Sequence, residues 1–318
     1  MPAISASAPG KVILFGEHAV VYGYPAIAVP VTQVYATALV TPNIRGESGS
    51  IFLDAPDIEL QGHLADLPLE NPLAKAIQLT LQALGTDRPP AMNIRLTSTI
   101  PIASGLGSGA AASVALIRGI STFLGKPLPP DKVNELAFEV EKIYHGTPSG
   151  IDNTAITYRQ PVYFRRGKPV ETLRVALPLT LVIGDSGIPS FTAQVVGEVR
   201  AAWEKDPKYY EALFEGIGAI TDQARQAIES GRSAELGPWM NENQSLLEKM
   251  GVSSPELEEL LAAARAAGAQ GAKLSGGGRG GNIIALATTD TAQEIARALK
   301  ATGAKRVIIS EVMPNRGS

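Results

Sequence analysis

The segment from Pro101 to Ser113 constrains the fold of this chain more than any other part, and it reads Pro-Ile-Ala-Ser-Gly-Leu-Gly-Ser-Gly-Ala-Ala-Ala-Ser. Strand-forming residues from Met92 to Thr97 precede it, and an Ala-rich apolar run from Ala110 to Phe123 follows it. The pattern predicts a strand, a glycine loop and a helix in direct succession. Such a junction lets backbone N–H groups converge beside the positive end of the helix dipole. We therefore expect a phosphate-binding loop and a protein that handles nucleotides.

Composition narrows the function classes. The chain has 318 residues, of which 45% are hydrophobic and 19% charged, which indicates a globular protein long enough for two domains. A net charge of −3 disfavours nucleic acid as a partner. Cysteine is absent, so disulfides, thiolate zinc sites and a cysteine nucleophile are excluded. With only three histidines and no H-E-x-x-H, the expected metal is a hard cation bound by oxygen atoms.

The sequence gives no sign of a membrane or of export. The N-terminus lacks a basic stretch followed by an apolar core, and no apolar run reaches the ~20 residues of a membrane span. We therefore expect a cytoplasmic protein with no membrane partner.

The remaining patterns predict a mixture of strands and helices. The predicted strands are 12–15, 26–40, 162–166, 173–176, 179–184, 282–286 and 307–312. The predicted helices begin at Pro72, after an Asn71 cap, and cover 110–123, 132–144, most of 192–267, and 291–302. The pattern changes from residue 179 onwards, which places a domain boundary near residues 170–185 and gives domains 1–175 and 176–318.

Three known glycine patterns are relevant to this chain. The Walker sequence is absent, because no lysine follows the glycines at the required position. Gly105 to Ala110 fits the dinucleotide pattern, but its helix leads to Pro-Pro and another helix rather than to a strand ending in an acidic residue. The segment from Gly276 to Gly281 is similar to the glycine loop of protein kinases, but the chain contains neither H-R-D nor D-F-G. The glycines of this segment also fit a tight turn.

Charged residues accompany the glycine segments. Lys11, Glu17 and His18 flank a short apolar strand near the N-terminus, and taken singly they fit a strand with solvated ends. Asp152 follows a helix end and fits an ordinary turn residue. Glu141 fits either a surface charge or an oxygen ligand in a cleft.

Taken together and in order, four segments resemble the signature motifs of the GHMP small-molecule kinases. They are SAPGKVILFGEHAVVYG, PIASGLGSGAAAS, EKIYHGTPSGIDN and KLSGGGRGGN. The first and third are similar in particular to the branch of that superfamily that phosphorylates mevalonate. The resemblance implies an α+β fold with a ribosomal protein S5 domain 2-like N-terminal domain and a ferredoxin-like C-terminal domain, with nucleotide and acceptor bound between them.

The resemblance also implies an activity. We expect transfer of phosphate from ATP, with Mg²⁺, to the 5-hydroxyl of mevalonate. The alternatives are another acceptor, such as phosphomevalonate or a sugar, and a non-catalytic nucleotide-binding homologue. Many members of the superfamily are dimers, so the resemblance also suggests a homodimer.

Residue roles follow from the same motifs. Asp152 matches the catalytic aspartate and Lys11 the lysine beside it. Glu141 and Ser108 are the expected Mg²⁺ ligands. The expected acceptor contacts are Glu17, His18, Asp152 and Thr192. The expected ATP contacts are Pro101, Ser104, Gly105, Leu106, Gly107, Ser108, Gly109, Ala110 and Ala111.

Two positions depart from the motifs. The superfamily usually has a second serine, which binds Mg²⁺, where this chain has Gly109. Either the Ser108 hydroxyl binds Mg²⁺ in place of that serine, or Glu141, phosphate oxygens and water complete the coordination shell of the metal. Arg279 interrupts the small-residue run of the last motif, and it either pairs with a phosphate or points to solvent.

Overall fold

The fold was determined from a computed structural model, which describes residues 2–68, 70–145 and 148–315. The strands of the described ranges are β1 Ile4–Phe15, β2 Ala26–Pro42, β3 Ile51–Ala55, β4 Leu60–His63, β5 Met92–Ser98, β6 Val162–Phe164, β7 Glu171–Thr172, β8 Leu179–Asp185, β9 Gly271–Ser275, β10 Asn282–Ala287 and β11 Arg306–Val312. The α-helices of the same ranges are α1 Pro72–Ala83, α2 Ser108–Phe123, α3 Pro130–His145, α4 Ile151–Tyr158, α5 Thr192–Lys205, α6 Pro207–Ser230, α7 Leu236–Lys249, α8 Pro255–Ala266 and α9 Ala292–Ala301. This mixed architecture confirms the predicted α+β class.

The chain forms two compact units, and neither is a single contiguous segment. Unit 1 consists of Met1–Gly10, Val34–Pro101 and Gly107–Arg159. Unit 2 consists of Lys11–Gln33, Ile102–Leu106 and Gln160–Ser318. Both β1 and β2 pass from one unit into the other along the chain. The division into domains at residue 175 stays a prediction.

Unit 1 combines β-pairing with a layer of helices. β3 pairs in parallel with β5 and antiparallel with β4, and β5 pairs antiparallel with Ala36–Pro42 of β2. Buried and exposed residues alternate along β5, as expected for a sheet with one covered face. The Asn71 side chain accepts hydrogen bonds from the backbone N–H groups of Leu73 and Ala74, which confirms the predicted cap of α1. Helices α1, α2, α3 and α4 pack against one another.

Unit 2 contains a second sheet with the order β11-β8-β10-β9, in which all neighbours are antiparallel. Helices α5 to α8 connect β8 to β9, and α9 connects β10 to β11, so the elements follow the β-α-β-β-α-β order of a ferredoxin-like domain. All residues of β10 are buried, as expected for a central strand covered on both faces. Helices α8 and α9 pack against this sheet.

Side chains of α7 cover the edge strand β9. A Cβ atom on Gly271 would lie 2.0 Å from the carbonyl oxygen of Gly237, so only glycine permits this approach of helix and strand. Asn241 and Gln244 accept hydrogen bonds from the backbone N–H groups of Ala272 and Leu274, at 3.1 Å and 2.9 Å. The N–H groups that an edge strand leaves unpaired are therefore satisfied within unit 2.

Most predicted elements agree with the structure, and two of the strands differ. β1 begins at Ile4 rather than at residue 12, and the strand predicted at 173–176 was wrong, because the strand is Glu171–Thr172. Leu173 and Val175 are buried as their apolar character implies. Their backbone N–H groups bond to the carbonyl of Pro161 and to Asn315 rather than to a neighbouring ladder. Within the described ranges, no helix has the length and apolar character to cross a membrane.

Candidate active site

The predicted phosphate loop ends at the N-terminus of α2. Gly107 adopts a left-handed conformation at the helix cap with φ of 76°, which a side chain would disfavour. No side chain caps this end of the helix. Ser108 is the first helical residue, and Gly109, Ala110 and Ala111, which all have small side chains, complete the first turn. This end of α2 is therefore suited to an anion.

Three of the predicted functional residues lie on the packed helices of unit 1. Ser108 begins α2, Glu141 is on α3, and Asp152 is the second residue of α4. The Glu141 side chain is buried, with 2% of its surface exposed, whereas Asp152 is half-buried. Each of these three helices contacts the other two. Gly146 and Thr147, which belong to the same predicted motif, lie outside the described residues.

The start of α4 depends on a glycine and on polar contacts. Gly150 precedes the helix with φ of 94°, and the Thr154 hydroxyl donates a hydrogen bond to its carbonyl oxygen at 2.6 Å. The Asn153 side-chain amide donates to Asn134 Oδ1 on α3 at 2.6 Å. At the other end, the Arg118 guanidinium donates to the carbonyl of Thr157. The helix that carries Asp152 is therefore fixed to its neighbours at both ends.

In unit 2, the residues from Ile102 to Leu106 meet the glycine-rich hairpin between β9 and β10. The Asn282 side-chain amide donates a hydrogen bond to the carbonyl of Ser104. A Cβ atom on Gly281 would lie 2.9 Å from that same carbonyl oxygen. Gly105 has φ of 86°, and a Cβ there would lie 3.5 Å from the carbonyl oxygen of Ser275. Two glycine segments that are far apart in sequence thus form one surface, where a side chain at Gly281 would prevent the approach.

The N-terminal motif joins the same surface. The backbone N–H of Lys11 donates to the carbonyl of Leu106 at 3.0 Å. The Ser275 hydroxyl accepts from the N–H of Ile13 at 2.9 Å and donates to its carbonyl at 3.1 Å. The Lys11 side chain is 2% exposed, which is uncommon for lysine and typical of a position with a specific role. Unit 2 therefore brings together the first motif, the residues 102–106 and the last motif.

Glu17 and His18 form a tight turn with unusual backbone geometry. His18 has φ of 58° and ψ of −50°, and the N–H of Ala19 donates to the carbonyl of Glu17 at 2.6 Å. These values describe a γ-turn of the rare type with positive φ. A non-glycine residue in this conformation costs about 1–3 kcal/mol, and such strain occurs where the surroundings enforce it. Gly16 adds to the constraint, because a Cβ there would lie 2.5 Å from Ala26.

The His18 ring is buried and neutral. Its Nε2 atom lies 3.0 Å from the carbonyl oxygen of Gly277. A carbonyl oxygen only accepts, so we assign the proton to Nε2 and leave Nδ1 as an acceptor. Burial, aided by the charges of Arg279 and Lys273, lowers the pKa of His18 from 6.5 to about 4. Nδ1 is buried and has no hydrogen-bond partner among the residues that the structure describes, so it is able to accept a hydrogen bond from a donor that reaches it.

A buried ion pair lies beside this turn. Lys273 Nζ on β9 contacts Glu17 Oε1, and the side chains of both residues are 0% exposed. The same ammonium group donates to the carbonyl of Leu274 at 2.6 Å. Burial raises the pKa of Glu17 while the charge of Lys273 opposes that rise, and burial lowers the pKa of Lys273. Within the described ranges, Glu17 Oε2 accepts no hydrogen bond.

Thr192 and Arg279 take different positions at the hairpin. Thr192 begins α5, and a Cβ on Gly277 would lie 2.8 Å from its hydroxyl oxygen. Arg279 is exposed, with φ of 53°, and its guanidinium pairs with Glu198 and donates to the carbonyl of Gly251 at 3.1 Å. Of the two alternatives for Arg279, the structure therefore supports a surface position.

Sequence reasoning missed Lys273 and Asn282 as parts of this region. Both stand in a motif that was recognised by its glycines alone. The available signal was the lysine between Ala272 and Leu274, because a charged residue in a strand of otherwise small and apolar residues implies a buried partner. Among the described residues, no group of three or more acidic or histidine side chains could hold a metal ion.

Sequence profiles and a full-length relative both show similarity of this chain to GHMP kinases. Residues 71–160 match the sequence profile of the GHMP kinases N terminal domain, and residues 224–305 match that of the GHMP kinases C terminal domain. The chain is 37% identical over 321 residues to the mevalonate kinase of Pyrococcus horikoshii, an alignment that covers 94% of this chain and 93% of the relative.

Solved structures extend the comparison. The mevalonate kinase of L. major, in complex with R-mevalonate, has a TM-score of 0.84 and 34% identity and covers 98% of this chain and 97% of its own. The mevalonate kinase of Methanococcus jannaschii has a TM-score of 0.84 and 27% identity and covers 99% of both chains. The likeness therefore includes both the fold and the sequence over nearly the whole length.

Proposed function

This chain belongs to the GHMP kinase family, and from that premise we propose that it transfers the γ-phosphoryl group of ATP to the 5-hydroxyl of mevalonate, giving 5-phosphomevalonate and ADP. The single observation that carries this assignment is the 37% identity to a mevalonate kinase over 94% of the chain. The geometry supports it, because unit 2 joins the first motif, residues 102–106 and the glycine hairpin through direct hydrogen bonds.

In the proposed mechanism, Asp152 accepts the proton of the attacking hydroxyl. The hydroxyl oxygen forms a bond to the γ-phosphorus while the bond between that phosphorus and the β,γ-bridging oxygen breaks, and ADP leaves. Phosphoryl transfer requires positioning and charge neutralisation more than covalent catalysis. The half-buried position of Asp152 in the first turn of α4 supports this role, because the carboxylate is accessible to a ligand.

We propose that Lys11 supplies positive charge at the reacting hydroxyl. A buried ammonium group stabilises negative charge far better than an exposed one, because water screens it less. The backbone of Lys11 is held by the carbonyl of Leu106, so the position of its side chain is linked to the loop that we propose for the ATP phosphates. The N-terminus of α2, from Gly107 to Ala111, is suited to bind phosphate through its backbone N–H groups.

The proposed metal is Mg²⁺, which would neutralise charge on the phosphate oxygens. Glu141 provides a buried carboxylate and Ser108 a hydroxyl at the N-terminus of α2. Both are hard oxygen donors, and Mg²⁺ takes few protein ligands, so these residues fit the ion even with Gly109 in place of a serine.

The acceptor assignment depends on the Glu17–His18 turn. We propose that Nδ1 of the neutral His18 ring accepts a hydrogen bond from an acceptor hydroxyl, and that Thr192 and Glu17 border the same position. An acceptor that already carries a phosphate needs additional cations. Arg279 is the cation that we considered for that role, and its charge is already paired with Glu198. This pairing favours mevalonate over phosphomevalonate as the acceptor.

The decisive experiment measures ADP release from ATP and Mg²⁺ with mevalonate, phosphomevalonate, homoserine, galactose or no acceptor. The proposal expects turnover with mevalonate alone. Turnover with another acceptor would overturn the substrate assignment and keep the kinase mechanism, whereas ATP binding without any turnover would favour a non-catalytic homologue. The homodimer and the cytoplasmic location stay predictions.

A further inference from the structure

The buried lysine of β9 has no role in the mechanism proposed above. Lys273 Nζ bridges two groups, the Glu17 carboxylate and the carbonyl of Leu274, and it is 0% exposed. A lysine in such a position loses its hydration, and hydrophobic residues of similar volume in place of both members of a buried ion pair are often at least as favourable for stability. The position of this ion pair therefore calls for a reason other than stability.

The ion pair holds the first half of a strained turn. The His18 conformation, with φ of 58° and ψ of −50°, persists only where its surroundings enforce it. Gly277 holds the His18 ring through Nε2, and Lys273 holds the preceding Glu17 side chain. Both contacts come from the same β9–β10 hairpin.

The following residues fix the other side of the turn. The Tyr22 ring stacks on Phe214 of α6, with ring centroids 4.1 Å apart. The turn is thus anchored at Glu17 by a charge and beyond His18 by aromatic packing. With Lys273 removed, the Glu17 side chain would lose its anchor, and fewer contacts would oppose relaxation of the backbone strain at His18.

We propose that Lys273 is a positioning residue for acceptor binding, and that it acts through Glu17 to keep the His18 ring oriented with Nδ1 towards the acceptor. This inference rests on the proposed function, because it takes the Glu17–His18 turn as the acceptor contact. Lys273 itself is too buried to touch a ligand.

The test uses two variants of the full chain at Lys273. Lys273→Met removes the ammonium group and leaves the Glu17 carboxylate buried without its counter-charge. Lys273→Met combined with Glu17→Gln removes both charges and keeps the volume of the site. It is compared with Glu17→Gln alone, so that charge compensation and positioning by Lys273 are separated from the change at Glu17 itself. Lys300→Met, at an exposed position on α9, is the matched control. Unfolding temperature and the KM values for acceptor and ATP are measured for each protein.

The inference expects a rise of about 10- to 100-fold in the acceptor KM for every variant at Lys273 that folds, because small displacements at an acceptor contact have effects of this size. The KM for ATP is expected to stay within about threefold, which a general loss of structure would not achieve. The control is expected to match the parent in both constants.

Three outcomes would overturn the inference. An acceptor KM near that of the parent in the folded double variant would assign Lys273 to charge compensation. Equal changes in both KM values would assign it to general structure, and loss of fold in both variants would assign the pair to folding alone. If the parent phosphorylates a different acceptor, the proposed function fails, and the same comparison is made with that acceptor.

Discussion

Asp152 and Glu17 are both carboxylates that the sequence places in signature motifs, but the structure gives them opposite environments. Asp152 is half-buried in the first turn of α4, where the helix dipole favours negative charge. Glu17 is completely buried, lies in a strained turn and is paired with Lys273. A carboxylate that takes a proton from a substrate must be accessible to it, whereas one that fixes geometry is best removed from water. The difference in burial thus distinguishes a reactive role for Asp152 from a positioning role for Glu17, which the motifs alone do not distinguish.

The largest effect is expected for a substitution of Asp152, the carboxylate to which we assign the reactive role. Asp152→Asn keeps the shape of the side chain and removes its basicity, so we expect kcat to fall by about 10⁴-fold, at the upper end for general-base catalysis. ADP release gives the rate, and ATP binding checks that the nucleotide site is intact. Asp87→Asn, at an exposed position between α1 and β5, is the control and is expected to keep parental turnover. Near-normal turnover of the Asp152 variant would remove this residue from the reaction.

Lys11→Met tests whether the buried ammonium group of Lys11 contributes to the rate of phosphoryl transfer. We expect kcat to fall by about 10²- to 10³-fold, because a preorganised charge at the reacting centre is lost. Nucleotide affinity, measured by calorimetry, is expected to change by no more than about threefold. The exposed Lys168→Met variant serves as the control. A mainly weakened ATP affinity would instead make Lys11 a nucleotide ligand.

The buried turn predicts a dependence of stability on pH. Folding lowers the pKa of His18 from 6.5 to about 4, so between these values the unfolded chain binds a proton that the folded chain does not. Stability is therefore complete above pH 6.5 and falls as the pH approaches 4, by up to about 3 kcal/mol from this residue.

Denaturant unfolding of the parent and of His18→Asn checks this expectation, because asparagine tolerates the positive φ. The variant is expected to lose this part of the pH dependence. The exposed His63→Asn variant is expected to retain it. Identical pH slopes in the parent and in His18→Asn would contradict the assignment of a neutral, buried ring.

A smaller effect is expected at the proposed metal ligand. Glu141→Gln is expected to raise the Mg²⁺ concentration for half-maximal turnover by about 10-fold, because a neutral amide binds the ion less well than a carboxylate. Glu139→Gln, an exposed residue on the same helix, is the control. An unchanged Mg²⁺ titration would exclude Glu141 from the metal shell.

The smallest effect is expected at the surface of the glycine hairpin. Arg279→Gly removes an exposed ion pair and relieves a positive φ, so we expect the free energy of unfolding to change by less than about 1 kcal/mol. Both KM values are expected to stay within about twofold of the parent. A large rise in either KM would return Arg279 to the phosphate-binding role that its motif position also allowed.

Local sequence patterns determined much of the fold. The Asn71–Pro72 start of α1, the buried strand β10 and the glycine loop before α2 follow from capping, hydrophobic pattern and turn chemistry, which act over a few residues. The four motifs also identified the family, because their order and spacing are read directly along the chain and require no knowledge of tertiary contacts.

Tertiary structure decided what these residues touch. Lys273 and Glu17 are 256 positions apart. The lysine in an apolar strand implies a buried partner, but nothing local in either segment indicates that this partner is Glu17. The strand predicted at 173–176 was wrong for the same reason, since distant groups such as Asn315 satisfy the backbone there. The sequence by itself determined the class, the motifs and the expected chemistry. Only the fold decided which charges are buried and paired, because burial and pairing depend on surfaces that different parts of the chain form together.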